Sequence, residues 1–294
     1  MFPFPPLERG ADQWVRFLTT SLLSSALFPI RWRRRSIFGS DCAKPREMKG
    51  LFITFEGTEG SGKSTHIQLL AERLRAAGRI VRVLREPGGT PIGEEVRHTL
   101  KHSHQNHAMT AEAELLLMNA SRAQLVREVI RPALAAGDLV LCDRFYDSTI
   151  AYQGYGRQLD LNVVRTIIEF AVGATRPTLT FLLSVPIEVS EERRRARKHA
   201  MLNDVPSHGT KPEGHTPPII SEPWRDRMEE AGRDFFQRVE NGYKAIAAAE
   251  PRRVMGIDST QPVAAVAAAI WRRVEPLLEQ TQGGSQGVAG WIRG

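Results

Sequence analysis

From residue 51 onward, short apolar runs alternate with segments whose apolar positions recur every three to four residues. The runs LFITF (51–55), IVRVL (80–84), DLVLCD (138–143), LTFLLSV (179–185) and RRVMGID (252–258) have the length and β-branched content of buried strands. Helical periodicity fills the intervals at about 63–77, 92–101, 110–136 and 161–172, then from about 187, from about 226 to 249, and from about 262 to 278. Gly78 and Gly137 fall just past two of these helices, where a left-handed cap is expected. Buried strands separated by helices predict an α/β fold, a five-stranded parallel sheet flanked by helices. All the elements belong to one sheet, so one domain is expected over 48–282. Residues 198–223, rich in Pro, Gly and His, break the pattern and predict a mobile loop inserted between two helices.

Outside this pattern the chain begins with a different composition. Of a net charge of +7, residues 1–47 hold eight Lys/Arg against four Asp/Glu, which leaves +3 on the remainder. That balance fits local phosphate sites and argues against a basic face tracking a nucleic acid. The apolar segment 14–30 contains Arg16, is short for a bilayer, and precedes its basic cluster RWRRR where an export signal places charge first. Residues 1–47 are therefore expected to be a disordered or artefactual extension, with Met48 starting the folded unit, and 283–294 a flexible tail. No membrane partner is expected. Cys42 and Cys142 lie in unlike contexts, and Cys142 reads as a buried free thiol, consistent with a reducing cytoplasm.

The densest chemical signal is GTEGSGKS, residues 57–64, which follows a predicted strand and opens a predicted helix. This is a phosphate-binding loop. Gly57, Thr58, Glu59, Gly60, Ser61 and Gly62 turn backbone N–H groups inward, Lys63 reaches the terminal phosphates, and Ser64 and Thr65 begin the helix whose N-terminus faces the anion. Ser64 is also a ligand for Mg2+. Glu59 is repelled by phosphate, so its carboxylate should point out of the cradle, toward the metal or a substrate hydroxyl.

Together with this loop, REPGGTPIGEEVR (85–97), ELLLMNASRAQLV (114–126) and DRFYDSTIAYQGYGR (143–157) resemble, in that order, the thymidylate kinase family. The resemblance implies a P-loop nucleoside monophosphate kinase fold with a mobile lid, and transfer of phosphate from ATP to dTMP with Mg2+. It implies that Arg85 and Arg144 hold the acceptor phosphate, a task suited to a planar guanidinium. Asp143 would hold the metal with Ser64. Arg122 would bond a thymine carbonyl, Thr149 would face the base edge, Tyr152 would occupy the space of a ribose 2′-hydroxyl, and Glu59 would accept from the 3′-hydroxyl. Met118 stands where the family has a phenylalanine that stacks on thymine, so the base loses a π face there.

Gly60 leaves no arginine in the loop, and the resemblance to the bacterial form places the missing charge in a lid at about 193–228. Its catalytic arginines would be Arg195, Arg197 and Arg227, with Arg193 packed on adenine. IDSTQP, 257–262, resembles the loop that wraps the adenine. The resemblance further implies a homodimer. His98, His102, His104 and His107 lack a thiolate or carboxylate at ligand spacing and read as polar surface. Two rival functions are a kinase for another small acceptor, such as dUMP or a deoxynucleoside, and an ATP-dependent switch without an acceptor.

Overall fold

The structure, a computed structural model, describes residues 50–103, 106–203 and 232–283. In chain order its regular elements are β1 (Phe52–Glu56), α1 (Lys63–Ala76), β2 (Val81–Arg85), α2 (Pro91–His102), α3 (Ala111–Leu125), α4 (Arg131–Ala136) and β3 (Leu139–Asp143). They continue with α5 (Tyr146–Thr149), α6 (Leu161–Val172), β4 (Leu179–Ser184), α7 (Ile187–Asn203), α8 (Arg233–Ala249), β5 (Val254–Asp258) and α9 (Val263–Gly283). All five strands pair in parallel in the order β2-β3-β1-β4-β5. The described elements belong to one compact unit.

The strand pattern explains the two-sided core. Successive side chains of a strand point to opposite faces. On β1, Ile53 and Phe55 join Leu70, Leu74 and Ile270 of α1 and α9, whereas Phe52 joins Leu125 and Ile168 of α3 and α6. β3 repeats the division, with Leu139 and Leu141 on the first face and Val140 and Cys142 on the second. Cys142 is a buried free thiol.

Local chemistry sets the helix ends. Thr90 and Thr110 accept from the N–H of Gly93 and Ala113, and Asp160 from those of Asn162 and Val163, side-chain caps worth about 1 kcal/mol each. Gly137 closes α4 in the left-handed conformation at φ 90°. Two expectations are corrected. The helix expected over 110–136 is interrupted by a π-helical turn, Val126–Ile130, two residues before Pro132. Proline lacks the N–H that would continue the regular ladder, and the wider turn absorbs that loss. α7 runs to Asn203, into the stretch expected to be a loop from 198. The segment after β3, read only as a motif, forms α5 and a π-helical turn, Ile150–Gly156. Residues 1–47, 204–231 and 284–294 lie outside the described residues.

Candidate active site

The phosphate loop leaves the carboxyl end of β1 and enters α1, beside the carboxyl end of β3. Ligands of open α/β sheets collect at this edge. Lys63 is folded back on its own loop, with Nζ donating to the carbonyls of Gly57 (3.1 Å) and Thr58 (2.8 Å). Burial, reinforced by the charge of Arg144, lowers its ammonium to about 7. A bound phosphate reverses that balance by supplying opposite charge. Ser64 Oγ donates to Asp143 Oδ2 at 3.0 Å, so the hydroxyl and carboxylate expected to share a metal are already neighbours. Both are hard oxygen donors beside the phosphate cradle, which fits Mg2+ completed by phosphate oxygens and water.

The loop is braced from two directions. Ser190 Oγ of α7 donates to the Glu59 carbonyl (2.5 Å), and Ser259 Oγ, after β5, donates to the Ser61 carbonyl (2.6 Å). Arg193 joins these braces by donating to the carbonyls of Gly60 (3.3 Å) and Ser259 (3.1 Å). Gly60 has φ 76°, and a Cβ there would approach the Ser190 carbonyl oxygen to 2.8 Å. That contact gives a physical reason for the absence of an arginine in the loop. Gln261 and Val263 line the same cavity as Arg193 and the cradle. Arg195 is exposed, pairs with Glu191 at 3.2 Å, and lines neither the cradle cavity nor the apolar one beside it. The Arg197 side chain and Arg227 lie outside the described residues.

A second, more apolar cavity adjoins the cradle. Met118 and Arg122 of α3, Thr149 of α5 and Tyr152 of the following π-helical turn all line it. Phe145 and Phe236 also line it, so aromatic faces are present although position 118 is methionine. Arg122 is buried and heavily engaged. Its Nε donates to Glu86 Oε2 (2.8 Å), Nη1 to Asn119 Oδ1 (2.9 Å), and Nη2 to the Phe145 carbonyl (3.2 Å). These bonds fix the guanidinium plane, and a guanidinium has five N–H donors, so donor capacity remains for a ligand. Burial pushes Glu86 up to about 7 against the opposing charge of Arg122.

Glu59, Glu86, Lys101 and Arg144 line both cavities. Glu59 Oε1 lies 4.0 Å from Lys101 Nζ, where the two cavities meet. Arg144 adopts φ 68°, which turns its side chain off the end of β3; its guanidinium lies 5.1 Å from the Tyr152 ring centroid. Arg85 lines the cradle cavity, where it donates to the Pro87 carbonyl (3.2 Å) and Glu94 (2.9 Å). Sequence reasoning missed Lys101, Phe145, Ser148, Gln153 and Phe236. Phe145, Ser148 and Gln153 lie inside the motif 143–157, which was their signal. Lys101 and Phe236 sit on helices whose composition gives none.

Comparison with known proteins follows the same lines. The sequence profile of the thymidylate kinase family matches residues 55–207. A thymidylate kinase of Pseudomonas fluorescens is 43% identical over 236 residues, covering 80% of this chain and 100% of its own. One from Chlorobium luteolum is 45% identical over 220 residues, covering 75% and 94%. The crystal structure of thymidylate kinase from Ehrlichia chaffeensis superposes with a TM-score of 0.55 at 29% identity, covering 76% of this chain and 98% of that one.

Proposed function

The chain belongs to the thymidylate kinase family, and we propose that it works through the two joined cavities, transferring a phosphoryl group from ATP to dTMP to give dTDP for DNA-precursor synthesis. The observation that carries this reading is the shared wall of Glu59, Glu86, Lys101 and Arg144. A donor phosphate in the cradle and an acceptor phosphate at the mouth of the apolar cavity then meet without crossing solvent.

In this reading the triphosphate lies along the loop 57–65, with Lys63 on its terminal phosphates and the adenine side toward Arg193 and residues 257–262. Arg144 and Arg85 hold the dTMP phosphate. Thymine packs on Met118 with Arg122 at a carbonyl and Thr149 at its edge, Tyr152 fills the 2′ position, and Glu59 accepts from the 3′-hydroxyl. An anionic phosphate oxygen of dTMP attacks the γ-phosphorus, the bond to the β–γ bridging oxygen breaks, and ADP leaves. No protein nucleophile or strong base is required, because catalysis of this step is positioning and charge neutralisation. Mg2+ held by Ser64 and Asp143 would neutralise charge on the ATP phosphates. Lid arginines, from Arg195, Arg197 and Arg227, add charge when the lid meets the nucleotide.

The domain is read as 48–282, in the cytoplasm with its nucleotide substrates, a setting that suits the free thiol of Cys142. Among the described residues no helix is long and apolar enough to cross a membrane. The enzyme is further read as a homodimer, a reading supported by exposed Leu116 on α3 and exposed Val163 and Phe170 on α6. Turnover of dTMP, dUMP, dCMP and thymidine, measured with ATP and Mg2+, tests the function. The highest kcat/KM is expected for dTMP. A preference for thymidine, or ATP hydrolysis indifferent to all four acceptors, would reject it.

A further inference from the structure

Arg144 differs from the other well-buried arginines in what it touches. Arg122 pairs directly with Glu86 (2.7 Å) and Arg253 with Asp147 (2.7 Å), so those charges are answered within the protein. Among the described residues no carboxylate forms a direct ion pair with Arg144. Its Nη1 instead donates to two hydroxyls, Ser148 Oγ at 3.1 Å and Tyr243 Oη at 3.3 Å. Those hydroxyls are 2.9 Å apart, and both reach one carboxylate oxygen, Glu56 Oε2, from Ser148 at 2.5 Å and from Tyr243 at 3.1 Å. The other oxygen of Glu56 accepts from the backbone N–H of Phe145 at 2.8 Å.

We propose that the Tyr243 hydroxyl, acting with Ser148 and Glu56, is a positioning group that fixes the Arg144 guanidinium for the acceptor phosphate without a carboxylate bonded directly to it. The inference rests on the reading of Arg144 as a phosphate clamp. Its logic is one of bond order. If Glu56 touched the guanidinium, the pair would be internally neutral and a phosphate would have to compete with a carboxylate. Interposing hydroxyls that donate to Glu56 and accept from Arg144 orders the side chain through hydrogen bonds, and the carboxylate stays one group further away. Burial, reinforced by the charge of Glu56, pushes the Tyr243 phenol well above its usual value, so it keeps the proton it donates. An arginine side chain has many rotamers, and a clamp ordered in advance does not lose that freedom on binding.

Tyr243 belongs to α8, and the signature motifs of the sequence do not include it. It also packs edge-on against Tyr152, with ring centroids 6.3 Å apart, so the same residue adjoins the phosphate clamp and the wall that faces the sugar.

The test compares two ligands that differ only by the phosphate. Calorimetric binding of dTMP and of thymidine is measured on the full chain as wild type, Tyr243→Phe, Ser148→Ala and Arg144→Ala. Tyr243→Phe is expected to weaken dTMP about three- to tenfold, the effect of one hydrogen bond, with thymidine affinity kept within about twofold. Ser148→Ala should show the same selectivity, and it carries the test alone if Tyr243→Phe does not fold. Equal losses for both ligands would reduce Tyr243 to a packing role and overturn the proposal. If Arg144→Ala weakens dTMP selectively and the hydroxyl variants do not, positioning is wrong and the clamp stands. If Arg144→Ala shows no selectivity, the clamp reading fails and takes the proposal with it.

Discussion

Glu56 illustrates at the scale of one residue how a phosphate site can store charge below its surface. Burial, with Asp147 nearby as a second negative group, raises its carboxyl to about 7, while Ser148, Arg144 and the Phe145 N–H pull in the opposite direction. In an unfolded chain the same carboxyl titrates near its ordinary value of 4.5. Between those two values the folded state binds more protons than the unfolded one, so this group's contribution to stability falls as pH rises from 5 to 7. Glu56→Gln removes the titration. Its melting temperature should therefore vary less between pH 5 and 7.5 than that of wild type, and an unchanged slope would assign the pH dependence elsewhere. Glu56 also marks the limit of sequence reading. GTEGSGKS states its chemistry through spacing, since glycines, lysine and serine are required at fixed offsets. Glu56, one residue earlier, acquires meaning only when α8 places Tyr243 against it from 187 positions away. Lys101 is similar, because a lysine near a helix C-terminus is ordinary until the fold sets it 4.0 Å from Glu59.

At the scale of elements, short apolar runs and helical patterning located all five strands and their order of helices, because burial on both sheet faces imposes continuous apolar strands directly. The π-helical turns escaped it. Val126–Ile130 and Ile150–Gly156 insert a wider turn without changing the apolar character of their segments. The second of these turns packs closely on α8. Glycine makes the approach possible, since a Cβ at Gly242 would lie 2.9 Å from the Cβ, Cγ and Cδ2 atoms of Tyr155. Gly242→Ala gains about 1 kcal/mol in helix propensity but faces an overpacking cost of about 1–3 kcal/mol against an aromatic side chain. A net loss of stability is expected in urea unfolding. Because Tyr243 is the next residue, KM for dTMP should rise as well. A variant as stable as wild type, with unchanged KM, would show that the α8 contact has more room than this geometry allows.

At the scale of the whole molecule, the phosphate loop and the motif 143–157 meet because β1 and β3 are adjacent in the sheet and both end at the same edge, although nearly ninety residues separate the two strands. That adjacency follows from parallel topology, and no local motif states it. Association is less legible still, since exposure cannot be read from an amphipathic helix without knowing its neighbours. Phe170 is 83% exposed and Val163, two turns earlier on α6, is 53% exposed; Leu116 on the packed neighbour α3 is 56% exposed. Each such side chain gains about 1.5–3 kcal/mol when removed from water, enough for three of them in each of two copies to favour a self-complementary contact. Sedimentation should find wild type at twice the chain mass. Val163→Glu combined with Phe170→Glu should sediment as a monomer with a native circular dichroism spectrum, because both positions face outward and the core clusters on either side of the sheet do not depend on them. A double variant that remains dimeric would move the interface off α6, and a wild type that is already monomeric would leave this apolar face without the partner proposed for it.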